Sequence, residues 1–580
     1  MSPNPQTANF VRAMPLAELQ GVGCRAVQIN GHTVALYAAG DRVYAVDNRC
    51  PHMGFPLDKG TVKDGILTCH WHHARFDLES GGTFDQWADD VRAFPVAIRD
   101  GDVWVDVASY GDAQIHQRDR LQVGLERDIS LVIGKAVLTL LDDGGDAVEP
   151  FRVGLLFGTK NRQGGWGQGL TMLTCLMKLL PHLNDTDRPR AMYHGLTAVS
   201  RDTFQHAPRF PIRPLPGSTT DLPTLKRWFR QFIEVRDDEG AERCIVSAIR
   251  AGATDQQMAD MLFTAVTDHR YIQIGHPADF TNKAFEALDI AGWEYAEPVL
   301  TSLVSGYANA SRMEESNAWR NPIDLMVILD GAFAKLPGVI EQGRGQRGKW
   351  NGRSDLIPIL LGDDPQRIAD ALLTALAQGN TEAQLAQAVS YAAALRIARF
   401  HTSNEFPDWD TALHTFTFAN AIQMGLRRAP SGELLHGVFD AAMSVYLDRF
   451  LNIPAARLPQ IDGEGETAVL DLFPTLLDKQ QQVNPAAEQV AAFLRNRGDP
   501  QQLLAMLGRL LLREDRDFHT IQCVEAAFNQ YDLLQGSDEA SHVLIAAARY
   551  LAAHAPTVRA QGQTYQIAHR LHRGDHLFTE

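Results

Sequence analysis

Two short runs constrain this chain more than any other feature. They are Cys50-Pro-His52 and, sixteen residues later, Cys69-His-Trp-His72. Cys-x-His is too tight for both side chains to bind one metal ion comfortably. It suits two irons bridged by sulfide, one holding both thiolates and the other both imidazoles. A Cys2His2 zinc site uses other spacings. Cys50, His52, Cys69 and His72 are therefore expected to hold a [2Fe–2S] cluster, and the neutral imidazoles raise its reduction potential. His70, Trp71 and His73 read as loop residues packed around those ligands. The flanks alternate as short strands, in Val34-Ala-Leu-Tyr37, Val43-Tyr-Ala-Val46, Gly65-Ile-Leu-Thr68 and Val103-Trp-Val-Asp-Val107, with a Gly81-Gly82 turn after the second loop. The expectation is a small β domain presenting two ligand loops at one tip.

On these residues, the segment from about residue 10 to 107 resembles a Rieske ferredoxin domain. Members of that family in respiratory cytochrome complexes carry an extra Cys in each loop, forming a disulfide. Here those places hold Phe55 and Trp71, so the resemblance is to the lower-potential ferredoxin and oxygenase branch. It implies a one-electron carrier. Gly164-Gly-Trp-Gly-Gln-Gly169 lacks the preceding strand of a dinucleotide fingerprint. In Gly343-Arg-Gly-Gln-Arg-Gly-Lys-Trp350, a Trp stands where a Walker A loop needs Ser or Thr. With no flavin or NAD domain visible, electrons are expected from an external NAD(P)H-dependent reductase or ferredoxin.

The other 473 or so residues after Val107, of 580 in all, change character. Strand patterns give way to Ala/Leu/Gln/Glu-rich stretches with apolar residues three and four apart: 168–183, 222–235, 366–376, 381–399, 433–451, 485–495 and 501–512. The expected fold class is multidomain β plus all-α: a Rieske domain over 1–108, a polar linker over 109–123, and a helical bundle over 124–580. The bundle reads as internally duplicated. Gly252-Ala-Thr254-Asp-Gln-Gln257 matches Gly379-Asn-Thr381-Glu-Ala-Gln384, with Thr254 and Thr381 as helix N-caps. Asp279-x3-Lys283-x-Phe285 matches Asp410-x3-His414-x-Phe416, which sets Lys283 opposite His414. A fainter third copy runs through Asp517-Phe-His519 to Glu525.

The breaks between paired helices collect histidine: His194, His269, His276, His401, His414 and His519. Imidazoles projecting from facing helices are how bundles build iron sites. Pro277 is expected to start a helix at its N1 position. The expectation is a mononuclear non-haem iron site, with Lys283 and His414 as catalytic candidates. His569, His572 and His576 read as surface residues at a helix end. Three further segments look like pieces of the questin oxidase-like family: His269-Arg-Tyr-Ile-Gln-Ile-Gly275, the run from Trp409 to Ala421, and Phe518-His-Thr-Ile-Gln-Cys-Val-Glu525. That resemblance implies a helical oxygenase that binds iron through several His, in some members with a carbamylated Lys, and oxygenates aromatic polyketide rings. Lys283 is the candidate for such a carbamate. The family's paired His near its N-terminus is not evident, with only Tyr193-His194 there. The Asp-x2-His-x4-His iron motif of ring-hydroxylating oxygenases is absent from the sequence.

Six scattered Cys argue for reduced thiols in a cytoplasmic setting. No basic, apolar leader begins the chain, and no apolar run reaches the roughly twenty residues that span a bilayer, so no membrane partner is expected. A formal net charge of −16 argues against nucleic acid and leaves a homo-oligomer open. The function expected is an iron-sulfur oxidoreductase delivering electrons to iron that activates O2 toward an organic substrate. The alternative is an electron carrier whose helical part docks a partner oxidase.

Overall fold

Hairpins organise the N-terminal part. The strands are β1 (Val11–Pro15), β2 (Cys24–Ile29), β3 (His32–Ala39), β4 (Arg42–Asp47), β5 (Thr61–Lys63), β6 (Ile66–Thr68), β7 (Arg75–Asp77), β8 (Ala93–Phe94), β9 (Val96–Arg99) and β10 (Asp102–Val105). Asn30-Gly31, Asp64-Gly65 and Asp100-Gly101 form the two-residue turns β2–β3, β5–β6 and β9–β10, all with positive φ. That is the turn geometry whose twist matches paired strands. Three antiparallel sheets result, in the orders β1-β10-β9, β2-β3-β4-β8 and β5-β6-β7. The run Val34-Ala-Leu-Tyr37 on β3 is buried on both faces. Val34 and Leu36 pack with Met14, Phe94 and Val103, while Ala35 and Tyr37 pack with Leu57, Leu67, Phe76, Cys50 and Cys69.

The computed structural model describes residues 9–108, 113–217, 220–461, 470–575 and 577; His576 lies outside them. The chain divides into two compact units, 1–153 with 561–580, and 154–560. The stretch expected as a linker carries helix instead: after α1 (Leu16–Val22) come α2 (Ala113–Arg127) and α3 (Ser130–Leu140). The Ala, Gln, Arg and Leu of α2 are good helix formers, the polar ones included. The helix buries Leu121 and Leu125, and Arg120 Nη2 donates to the Ala88 carbonyl at 2.8 Å. The first unit therefore extends past residue 108, and all but the first residue of the helix Ala560–His572 belongs to it too.

The second unit is helical, as the periodicity predicts. Thr254 and Thr381 both close complete capping boxes, with Gln257 and Gln384. Among the described residues no helix is long and apolar enough to cross a membrane.

Candidate functional site

The two cluster loops are built alike. Cys50 N–H donates to Phe55 O at 2.8 Å and Gly54 N–H to Cys50 O at 2.8 Å; Cys69 N–H donates to Ala74 O at 2.9 Å and His73 N–H to Cys69 O at 3.0 Å. The fifth residue of each turn is left-handed. Gly54 takes φ 82° freely, whereas His73 takes φ 62° at a cost of about 1–2 kcal/mol. These turns aim four ligands at one place. The rings of His52 and His72 meet edge to face, centroids 4.8 Å apart. The Cys50 and Cys69 side chains hydrogen-bond each other, and backbone amides of His52, Met53, Trp71 and His72 point at the sulfurs. The bond to Cys69, then burial, pushes the Cys50 thiol up, while the same bond draws Cys69 down to about 6. Burial, with the nearby His72 and Lys135, lowers His52 to about 4. His52 Nδ1 is buried with no hydrogen-bond partner, a loss of about 1–3 kcal/mol that a metal bond removes. The donor set thus fits a [2Fe–2S] cluster. Phe55 and Trp71 face each other across the loops, ring centroids 6.2 Å apart.

In the helical unit three of the candidate histidines converge. His276 is the first residue of the helix His276–Ala291, His414 lies mid-way along Phe406–Arg428, and His519 is the second residue of Phe518–Leu534. One ring nitrogen from each falls within 4.8 Å of the others. His414 Nε2 and His519 Nε2 are 3.0 Å apart. Burial first, then neighbouring imidazoles, lowers His276 to about 4 and His414 to about 3. Both are neutral at physiological pH, the form a metal ligand needs. Asp410, one turn before His414, sets Oδ2 3.7 Å from His519 Nδ1 and accepts the Tyr550 hydroxyl at 2.6 Å. Carboxylates in this place orient metal-binding imidazoles. Three nitrogens with an outer carboxylate fit a mononuclear metal.

The backbone leading to His276 is strained. Tyr271, Gln273 and Ile274 have φ of 39°, 44° and 49°, unusual above all for β-branched Ile274. Gln273 holds the turn, its N–H donating to Ser311 O at 2.7 Å and its Oε1 accepting Ser311 N–H at 2.8 Å. Gly275 follows at φ 95°, where a Cβ would lie 2.7 Å from Phe418 Cβ on the His414 helix. Only glycine lets the two helices approach this closely. A cavity of about 210 Å³ opens beside His276, lined by Arg162, Trp166, Gln273, Phe280 and Phe518 among others.

The remaining candidates are placed elsewhere. His269 Nδ1 pairs with Glu314 at 2.9 Å, and His401 Nδ1 with the Ser403 hydroxyl at 2.8 Å. His194 is buried against the Tyr193 ring and takes no part in the three-histidine group. Lys283 is two turns beyond His276, 1% exposed, and ion-paired with Glu286 at 2.9 Å and with Glu525. Burial opposes its charge, but the two carboxylates outweigh burial and hold its pKa well above the ordinary value. A carbamate forms from a neutral amine, so this environment disfavours the carbamylated ligand expected from sequence. Lys283 neutralises charge instead.

That pairing is part of a buried network the histidine pattern did not reveal. Glu286 also accepts from Lys178 at 3.2 Å. One turn below the imidazoles, Gln522 donates to Asp279. Burial, against the opposing pull of Lys283, raises Asp279 to about 7. Between about pH 4 and 7 the folded carboxyl therefore keeps a proton that the unfolded one has lost, and rising pH favours unfolding. In metal-free protein, the stability of wild type relative to Asp279→Asn is expected to fall by about 1.4 kcal/mol per pH unit over that range and level off above it. Thermal unfolding of both proteins checks the slope; parallel curves would mean an ordinary, ionised Asp279.

Comparison with known proteins bears on the first site. Residues 9–95 match the Rieske [2Fe-2S] domain. The ferredoxin component of the p-cumate 2,3-dioxygenase system of Pseudomonas putida is 30% identical over 83 residues, 14% of this chain and 70% of that protein. The vanillate O-demethylase oxygenase subunit of Pseudomonas sp. (strain ATCC 19151) is 39% identical over 82 residues, 13% of this chain and 25% of that one. Human apoptosis-inducing factor 3 is 28% identical over 190 residues, 32% of this chain and 29% of that one. The chain thus matches less than a third of the length of the last two.

Proposed function

The chain belongs to the Rieske [2Fe–2S] family through residues 9–95, and from that premise we propose that it is a two-centre oxidoreductase, an oxygenase whose second centre is a non-haem iron on His276, His414 and His519. The observation that carries this reading is the convergence of those three imidazoles from three separate helices. Cys50, His52, Cys69 and His72 would hold the cluster, which would supply one-electron chemistry with an external NAD(P)H-dependent reductase or ferredoxin as the donor. Iron on three imidazoles supplies the one-electron chemistry of O2 reduction.

Each part of the site has a task the chain itself performs. Asp410 fixes the ring of His519. Trp166, Phe280 and Phe518 give the cavity beside His276 aromatic walls suited to a flat, aromatic substrate. Asp279 holds a proton near neutral pH, one turn from His276. Two relatives support an oxygenase setting through their names, as parts of p-cumate and vanillate systems. The likeness of 269–275, 409–421 and 518–525 to questin oxidase-like proteins supports an aromatic substrate as well.

Elemental analysis of anaerobically purified protein, with electron paramagnetic resonance (EPR) of the reduced sample and its nitric oxide adduct, tests the reading. Three iron atoms per chain, a Rieske signal and a separate nitrosyl-iron signal are expected. Two iron atoms, all in the cluster, with no other metal would leave an electron carrier on a helical docking scaffold.

A further inference from the structure

A helix outside the matched residues reaches the cluster. Lys135, on α3, donates from Nζ to the carbonyl of Pro51 at 2.8 Å, and Pro51 is the residue between Cys50 and His52. The ammonium is mostly buried, 14% exposed, and lies 4.0 Å from Asp89 Oδ2. Asp89 is shared. Arg120 Nε on α2 is 2.7 Å from its Oδ1 and His116 Nε2 is 3.5 Å from the same oxygen. Burial works against the Asp89 charge, but His116, Lys135 and Arg120 outweigh it and hold it near 2. Asp89 is thus an anion committed mainly to Arg120, and Lys135 is left with a distant carboxylate and a backbone carbonyl. Burial draws the Lys135 pKa down while Asp89 and Cys50 favour its charge, and that charge in turn lowers the pKa of His52.

We propose that Lys135 is a potential-setting residue of the [2Fe–2S] cluster, a cation supplied by an appended helix to stabilise the reduced form. Reduction adds one negative charge to the cluster. A fixed cation beside the first ligand loop favours that state, and its mostly buried setting screens it less than water does. Charge, burial and hydrogen bonding around the ligands are the terms that spread Rieske potentials. The structure assigns Lys135 the charge term, and Asp89 the opposing one.

The test is an EPR-monitored redox titration of the full-length protein with its cluster. Lys135→Gln keeps a donor for the Pro51 carbonyl and removes the charge. It is expected to disfavour reduction about tenfold, a drop of about 59 mV for one electron. Lys135→Arg should stay near wild type. Asp89→Asn removes the facing anion and should shift the potential upward, which gives a second measurement if Lys135→Gln does not load a cluster. An unchanged midpoint in either Lys135→Gln or Asp89→Asn, with the Rieske EPR line shape intact, overturns the proposal. The outcome does not depend on metal at the three histidines.

Discussion

Lys283→Met is expected to destabilise the helical unit by about 3–5 kcal/mol, the usual cost of removing one partner from a buried ion pair. Lys283 faces Glu286 and Glu525, both nearly inaccessible to water, with Asp279 close by. Methionine fills similar space, so packing survives and the stranded carboxylates account for the loss. Burial pushes Glu286 up, yet Lys283 and Lys178 together hold it near 2. Without Lys283 the carboxylates must take up protons, so the defect is expected to shrink as pH falls. The melting temperature of the helical unit at pH 6 and pH 8 checks this. A melting temperature equal to wild type at both values would refute the counter-ion role. Metal content separates the two readings of this residue. As a counter-ion, Lys283 can be replaced with metal retained at the three histidines; as a carbamylated ligand, it cannot.

His414→Ala is the second large effect. Losing an outer-shell partner such as Asp410 is expected to weaken metal binding roughly 10–100-fold. Losing the central imidazole, whose ring contacts both His276 and His519 at 4.8 Å, should exceed that. Iron is expected to fall from three atoms per chain to two, with the Rieske spectrum unchanged. If His414→Ala keeps its third iron, the histidine group is not the metal site and the oxygenase reading fails with it. If the cluster signal also disappears, the substitution has unfolded the chain, and Asp410→Asn becomes the measurement: iron binding equal to wild type in that variant counts against the site.

How much of this was legible in the sequence varies by residue. Cys50, His52, Cys69 and His72 are local: each pair lies within three residues, and the turn that presents it is closed by backbone bonds inside six. The hairpins are equally local, although the sequence reading passed over their marks Asn30-Gly31, Asp64-Gly65 and Asp100-Gly101: a dipeptide that accepts positive φ is a complete turn instruction. Thr254 and Thr381 announced their helices for the same reason. Residues 113–123 were misjudged because polarity suggested a linker, whereas α2 needs only its apolar Leu121 and Leu125 and a backbone partner for Arg120.

Matching the copies by sequence set Lys283 opposite His414. Packing set His276 there. The His276 helix has 16 residues and begins at its ligand, while the His414 helix has 23 and presents its ligand from the third turn. Equal positions in sequence are thus different heights in the bundle. Sequence alone determined the two Cys-and-His loops, several of the strands and the capped helices, since these depend on contacts within a few residues. Tertiary structure alone decided that His276, His414 and His519 meet, that His194, His269 and His401 do not, and that Lys283 answers Glu286 and Glu525. Apart from the Lys283–Glu286 pair within one helix, those contacts join helices more than a hundred residues apart, and only close packing of their faces, forced at Gly275 against Phe418, selects one set of side chains over another.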